Sequence, residues 1–233
     1  MMTHLTGKER GKYVQDMFAR IAHRYDLMNR LMTAGQDVRW RKMVIAKAGL
    51  QPGFRLLDLG TGTGDLAREA LSQQPDAKVV AADFTLEMMQ VGKRQDGGGM
   101  TWSAADALQL PFSDKSFDSV VSGFLMRNVG DIQQSLKEQY RMLKTGGRVV
   151  ILDTTKPKRN LFSPFVWLHM HVVIPLLGGL LSGFRDAYSY LPDSTEGFIT
   201  AQEMTVRMAA VGFKKVNYKI LMFGTIAIHW GEK

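Results

Sequence analysis

The sequence predicts an α/β fold: a mainly parallel sheet with crossover helices, prefaced by helices and closed by an antiparallel hairpin. Three observations predict it. After Pro52-Gly53, short apolar runs alternate with helical windows, the order expected of parallel strands joined by crossover helices. Ahead of that point, apolar residues recur only at steps of three and four. At the far end, two strand-like runs flank Gly224 in the manner of a hairpin. With 233 residues, 45% of them hydrophobic, the chain can bury one sizeable core, so a single domain over residues 1–233 is expected.

Taken in order, Val14, Met17, Phe18, Ile21, Tyr25, Met28 and Met32 form one apolar stripe, which predicts a helix over residues 13–33. A second, over about 38–48, stops at Gly49 and Pro52. Residues 1–50 thus read as a helical cap. Strands are predicted at 55–59, 78–82, 117–123 and 147–152, with helices at about 65–73, 87–93 and 132–143 between them. Asp131 with Gln134, and Thr200 with Glu203, carry the spacing of a capping box. The second of these opens a helix through Ala210 that ends at Gly212. Runs at 216–222 and 225–230 make the hairpin, and Gly97-Gly98-Gly99 makes a turn.

Composition narrows the chemistry. There is no cysteine, which excludes disulfides, thiolate nucleophiles and cysteine-ligated metal sites. The N-terminus has no apolar core of a secretory signal, so a cytoplasmic protein is expected. Of the net charge of +8, residues 1–50 carry an excess of six, suited to an anionic surface, nucleic acid or solubility alone. Residues 161–184 hold no Asp, Glu, Lys or Arg over 24 positions, long enough to cross a bilayer. Pro164, Pro175, Gly178, Gly179, His169 and His171 interrupt them, which predicts instead a helical lid insertion within 157–198. Its apolar face suits an isoprenoid substrate or a membrane surface.

The most informative segment is Leu57-Asp58-Leu59-Gly60-Thr61-Gly62-Thr63-Gly64, where a strand ending in an acidic residue runs into alternating glycines and then a helix. Glycines there let the main chain take turn dihedrals and approach a ligand without an intervening Cβ. Nucleotide dehydrogenases use a related turn, but their third glycine stands three residues beyond the second. An acidic rim of Asp58 and Asp65 suits a sulfonium and an amino group better than a pyrophosphate. Asp83, with Phe84 after it, closes the next strand where a carboxylate can accept both ribose hydroxyls. Asp106, beside Ala107, could accept from an adenine amine or be a solvated turn carboxylate. In this order they point to an S-adenosylmethionine-dependent methyltransferase of class I, with a Rossmann-like fold.

Four segments carry a resemblance: residues 18–29 (Phe-Ala-Arg-Ile-Ala-His-Arg-Tyr-Asp-Leu-Met-Asn), the glycine turn, Met126-Arg127-Asn128-Val129, and residues 187–194 (Ala-Tyr-Ser-Tyr-Leu-Pro-Asp-Ser). Through them the chain resembles the quinone C-methyltransferase family that acts in menaquinone and ubiquinone synthesis, over nearly its whole length. The resemblance implies a mainly parallel seven-stranded sheet with an antiparallel C-terminal hairpin. It implies that Thr61, Asp83, Asp106, Ala107 and Gly123 contact S-adenosylmethionine, and that the substrate is a prenylated quinol, first of the menaquinone type, with a ubiquinone-pathway benzoquinol as the alternative. Asp37 departs from the pattern, standing where many relatives have histidine, and so does Ser189, where many have arginine.

Methylating a quinol ring requires a stabilised phenolate aligned with the methyl donor, which positioning and electrostatics can supply. Arg127 is expected to stabilise the phenolate, unless it only pairs with Asp131 or a helix end, and Asn128 to orient a hydroxyl or water. Tyr25, Tyr188 and Tyr190 are candidates to hold the ring or relay a proton. His23, His169 and His171 are weaker candidates for a base, and a metal site is not expected. The basic cap and uncharged lid together predict peripheral contact with the inner face of a membrane. Oligomer formation stays open. Two other classes remain at this point: an RNA methyltransferase, motivated by a pI near 9.7, and a non-catalytic cofactor-binding assembly factor.

Overall fold

The computed structural model describes residues 7–157, 163–182, 192 and 194–233. The cap comprises α1 (Gly7–Ile21), a 3-10 turn at Ala22–Arg24, α2 (Tyr25–Met32) and α3 (Gln36–Ala48). The expected single helix over 13–33 is therefore two helices at an interruption. The apolar stripe survives it, since Met17, Ile21, Met28 and Met32 pack together with Ile174 of the lid. A tight turn packed on a neighbouring helix satisfies the same periodicity, so periodicity alone does not reveal the break.

The sheet contains β1 (Arg55–Leu59), β2 (Lys78–Asp83), β3 (Met100–Ala104), β4 (Phe117–Gly123), β5 (Leu143–Thr154), β6 (Lys214–Leu221) and β7 (Ile226–Glu232), in the order β3-β2-β1-β4-β5-β7-β6. The first five are parallel and β7 runs antiparallel to both β5 and β6, as expected of seven strands ending in a hairpin. Helices α4 (Asp65–Gln73), α5 (Leu86–Gln95), α6 (Ile132–Met142) and α9 (Ala201–Val211) cross over it. One face buries Leu57, Leu59, Val120, Leu136, Ile151, Met204 and Met208 beneath α6 and α9. The other buries Leu56, Ala67, Ala81, Val121, Val150 and Ile228 beneath α3 and α4. Both faces are dry, which is why the inner strands read as continuous apolar runs.

Two strands differ from expectation. β3 lies at the sheet edge and pairs only with β2, so its side chains are half-exposed and leave no apolar run to detect. β5 starts four residues early, through the Lys144–Gly147 stretch, where Gly146 takes φ +79° and a Cβ on Gly147 would stand 2.9 Å from the Asp118 carbonyl. The capping box at Thr200 and Glu203 is complete. That at Asp131 is half formed, because Gln134 spends its side chain on the Leu108 carbonyl at 3.0 Å instead of reaching back.

The described part of the lid is helical over Ser163–Leu168 (α7), takes one π turn over His169–Val173, and continues over Ile174–Ser182 (α8). Pro175 has no N–H to offer the His171 carbonyl, which fits a widened turn just before it. Among the described residues no helix is long and apolar enough to cross a membrane.

Candidate functional site

Strand order reverses between β1 and β4, where a doubly wound sheet opens a crevice at the carboxyl ends of its strands. Residues 60–64 leave β1 at that crevice. The N–H groups of Gly60 and Thr61 both donate to the Ala82 carbonyl, at 2.8 and 3.0 Å, which ties the turn to β2. Gly60 takes φ +68°, and a Cβ there would stand 2.9 Å from Leu125 Cδ1; Gly62 takes φ +58°. Gly64, at φ +90°, is the residue before α4. Only glycine meets such demands cheaply.

Beneath the turn Asp58 is fully buried. Its Oδ2 accepts from the Thr61 hydroxyl at 2.6 Å and the Ala67 N–H at 3.1 Å, while Oδ1 has no hydrogen-bond partner among the described residues. Burial pushes the carboxyl up to about 7, against those two bonds. An acceptor oxygen left unsatisfied in a dry place is costly, and a donor-bearing ligand removes that cost. Because the folded pKa exceeds the unfolded one, the group's contribution to stability is complete at low pH and disappears as pH rises to about 7. Asp58→Asn, which mimics the neutral form, is expected to melt higher than wild type above pH 7 in the absence of ligand. Near pH 4 the two should converge; melting curves between pH 4 and 8 check this.

Asp83 accepts from the Gly62 N–H through Oδ2 and the Thr85 N–H through Oδ1, both at 2.7 Å. Burial raises its pKa and these bonds oppose the rise. Phe84 beside it is half-exposed, its carbonyl accepting from Gln15 at 3.0 Å. The Ala105 N–H donates to the Asp83 carbonyl at 3.0 Å, which brings exposed Asp106 and buried Ala107 to the same rim. Asp106 accepts from the Leu108 N–H at 2.9 Å. Gly123, at the end of β4, faces Leu66 at 3.0 Å from an added Cβ. The rim is less acidic than the sequence suggests, since Asp58 lies under the turn and Asp65 is paired with Arg41 and Arg68.

A cavity of about 900 Å³ is bounded by the cap, the lid and the β6–β7 connection, and Tyr25 in its wall reaches the glycine turn. Met17, Met28, Met32, Trp40, Phe165 and Met170 represent its mostly apolar lining. Arg127, Tyr25, Asn29, His169 and Thr154 are among its polar members. Arg127 is 7% exposed and pairs not with Asp131 but with Asp153, Nη1 to Oδ1 2.8 Å, while its own N–H reaches Asp153 Oδ2 at 3.2 Å. Phe124, held at φ +59°, lies 5.1 Å beneath the guanidinium. Asn128 donates to the Phe124 carbonyl at 2.9 Å, so its amide holds this bend.

Tyr25 lines the cavity and also approaches the glycine turn, with Cε1 3.9 Å from a Cβ built on Gly62. Burial raises its pKa, so it keeps its proton at neutral pH and can act as a donor rather than a base. His169 meets the Met32 carbonyl at 3.0 Å, whereas His171 stacks on Trp167 and lies 3.3 Å from Glu196. His23 is exposed on the 3-10 turn. Tyr188, Ser189 and Tyr190 lie outside the described residues. Sequence reasoning missed Asp153, Phe124 and Trp40. Phe124 adjoins the Met126–Val129 motif and was within reach; nothing local marks Asp153, which meets Arg127 across 26 residues.

Residues 5–233 match the ubiE/COQ5 methyltransferase family. The chain is 46% identical over 225 residues to a ubiquinone/menaquinone biosynthesis C-methyltransferase of Desulfotalea psychrophila, covering 96% of this chain and 92% of that one. It is 43% identical over 220 residues to the demethylmenaquinone methyltransferase of Thermus thermophilus, covering 93% and 100%. Among solved structures it is similar to the [4+2]-cyclase SpnF, with a TM-score of 0.70 and 15% identity over 96% of both chains. A SAM-dependent methyltransferase from Thermotoga maritima gives 0.64 and 19%, covering 94% of this chain and 98% of that one. At such identities these two likenesses establish the fold.

Proposed function

Because the chain belongs to the ubiE/COQ5 methyltransferase family, we propose that it transfers a methyl group from S-adenosylmethionine to a ring carbon of a prenylated quinol, demethylmenaquinol in the first instance. One observation carries the choice of substrate class: a mainly apolar cavity, with Arg127 its one buried guanidinium among the described residues, reaches the glycine turn through Tyr25. A flat ring with an isoprenoid tail matches that lining, and a polar nucleic-acid base does not. The name of the Thermus relative favours the naphthoquinol.

The residues at the turn fit the cofactor. Asp58 leaves a buried acceptor oxygen, Gly60 and Gly62 keep the backbone clear of Cβ atoms, and Asp83 closes the next strand beside them. Asp106, Ala107 and Gly123 would complete the rim. Bound there, S-adenosylmethionine supplies an electrophilic methyl group on a sulfonium. The protein's own contribution is electrostatic and steric. Arg127 stabilises the phenolate that pushes electrons onto the attacking carbon, and Asp153 keeps its guanidinium in one orientation. Tyr25 donates a hydrogen bond between ring and turn, Asn128 holds the Phe124 bend, and the lid excludes water. With the cofactor bound, the ring carbon would gain the methyl while sulfur keeps the bonding pair, and the displaced ring proton would pass to solvent, restoring aromaticity.

The lid also turns Phe165, Trp167, Leu168 and Leu176 outward, with Phe165 72% exposed. Beside a cavity for a lipid tail, this face suits contact with the cytoplasmic surface of a membrane, where a prenylated quinol resides. The test supplies labelled S-adenosylmethionine with demethylmenaquinol, a demethyl benzoquinol or RNA. Label should enter the naphthoquinol fastest. With the quinol in vesicles, Leu168→Ser/Leu176→Ser should lower transfer, and detergent-dispersed quinol should restore it. Preferential labelling of RNA would overturn the assignment.

A further inference from the structure

The N-terminal helices are joined to the glycine turn by charge. Arg41 of α3 pairs with Asp37 one helical turn back, Nη2 to Oδ2 2.9 Å, and with Asp65, the first residue of α4 and the one after Gly64. Arg68 takes the other oxygen of Asp65 and donates through Nη1 to the Thr63 carbonyl at 2.6 Å. The Thr63 hydroxyl donates to Asp26 of α2 at 2.6 Å. These contacts are sheltered from water: Asp37 is 0%, Thr63 1% and Arg41 8% exposed. Screening is weak in such a place, so the pairs transmit position rather than merely decorating a surface.

Register gives the arrangement its meaning. Each cap residue in this set directly follows a residue that lines the cavity: Asp26 follows Tyr25, Asp37 follows Gln36, and Arg41 follows Trp40. Neighbouring residues on a helix point about 100° apart, so α2 and α3 present one side to the cavity and the next to the turn. A ring settling against Tyr25, Gln36 and Trp40 bears on the same backbone that holds Thr63 and Asp65.

We propose that Arg41 and Asp26 are positioning residues for the cofactor turn, and that through them the cap couples the two sites, so that a ring ligand in the cavity tightens cofactor binding and the cofactor tightens ring binding. Linkage makes the two effects equal. The inference rests on the reading of residues 60–64 as the cofactor turn.

Calorimetry tests it, with S-adenosylhomocysteine titrated into the full chain with and without saturating 1,4-naphthoquinone bearing a short prenyl chain. In wild type the quinone should tighten S-adenosylhomocysteine by about fivefold or more. Asp26→Ala and Arg41→Gln should each weaken S-adenosylhomocysteine and bring that ratio close to one, and Arg41→Lys, which keeps the charge but not the fork, should restore part of both. Arg41→Gln leaves Asp37 without its cation and Asp65 with Arg68 alone. Should it fail to fold, Asp26→Ala decides, because it deletes a carboxylate whose charged form burial already disfavours. A folded Asp26→Ala protein with wild-type affinity and wild-type ratio overturns the proposal, as does a wild-type ratio of one. Absence of any binding heat in wild type would instead remove the cofactor reading, and this proposal with it.

Discussion

Arg127→Ala is expected to lower methyl transfer by about 10²- to 10³-fold, the usual loss when one preorganised partner of a developing oxyanion is removed. The proposed cofactor turn lies on other elements, so affinity for S-adenosylhomocysteine should be nearly unchanged. The variant has a second effect that must be separated from the first. Asp153 is 2% exposed, so deleting the guanidinium leaves a buried carboxylate with N–H partners but no cation, at a cost of up to roughly 3–5 kcal/mol. Arg127→Ala/Asp153→Asn relieves that cost. The double variant should regain much of the melting temperature and none of the activity, a pattern that general destabilisation does not produce. Single-turnover rates at saturating cofactor, read beside melting curves, check it. If the double variant regains transfer, Arg127 is a structural residue and the phenolate finds its stabilisation elsewhere.

The second large effect is expected at Asp83. Its two oxygens hold the N–H groups of Gly62 and Thr85, so the carboxylate both shapes the turn and sits where ribose hydroxyls are read in the proposed complex. Hydrogen bonds to a charged group contribute about 1.5–3 kcal/mol each, so losing one or two on Asp83→Ala should weaken S-adenosylhomocysteine by about 10-fold to 10⁴-fold. Asp83→Asn keeps one acceptor and should lose less. Asp106→Ala should fall between Asn and wild type, because Asp106 is exposed and bonds only within its own turn. Calorimetry ranks the three. An Asp83→Ala protein that binds within a few-fold of wild type would displace the ribose reading of this carboxylate.

The cavity was only partly legible beforehand. The stripe from Met17 to Met32 announced a buried face, yet nothing in it says that Met17, Met28 and Met32 would line a space instead of closing it. Apolar residues at helical spacing look the same against a core and against a ligand. The lid was visible as an uncharged stretch, but which of its faces turns inward was not: Phe165 both lines the cavity and stands 72% exposed at its mouth.

By itself the sequence determined the kind and order of most elements and the place of the glycine turn. One-face burial repeats at a fixed step along a helix or strand, and a tight turn with positive φ and no room for a Cβ favours glycine. Those demands are met within a few residues, so a few residues record them. Tertiary structure alone decided that Arg127 answers to Asp153, that Arg41 bridges Asp37 and Asp65, that the first helix breaks at Ala22–Arg24, and that Met100–Ala104 adds an edge strand. Charges attract across space whatever their separation in the chain, and an edge strand depends on the neighbour it pairs with. Neither leaves a local periodic trace.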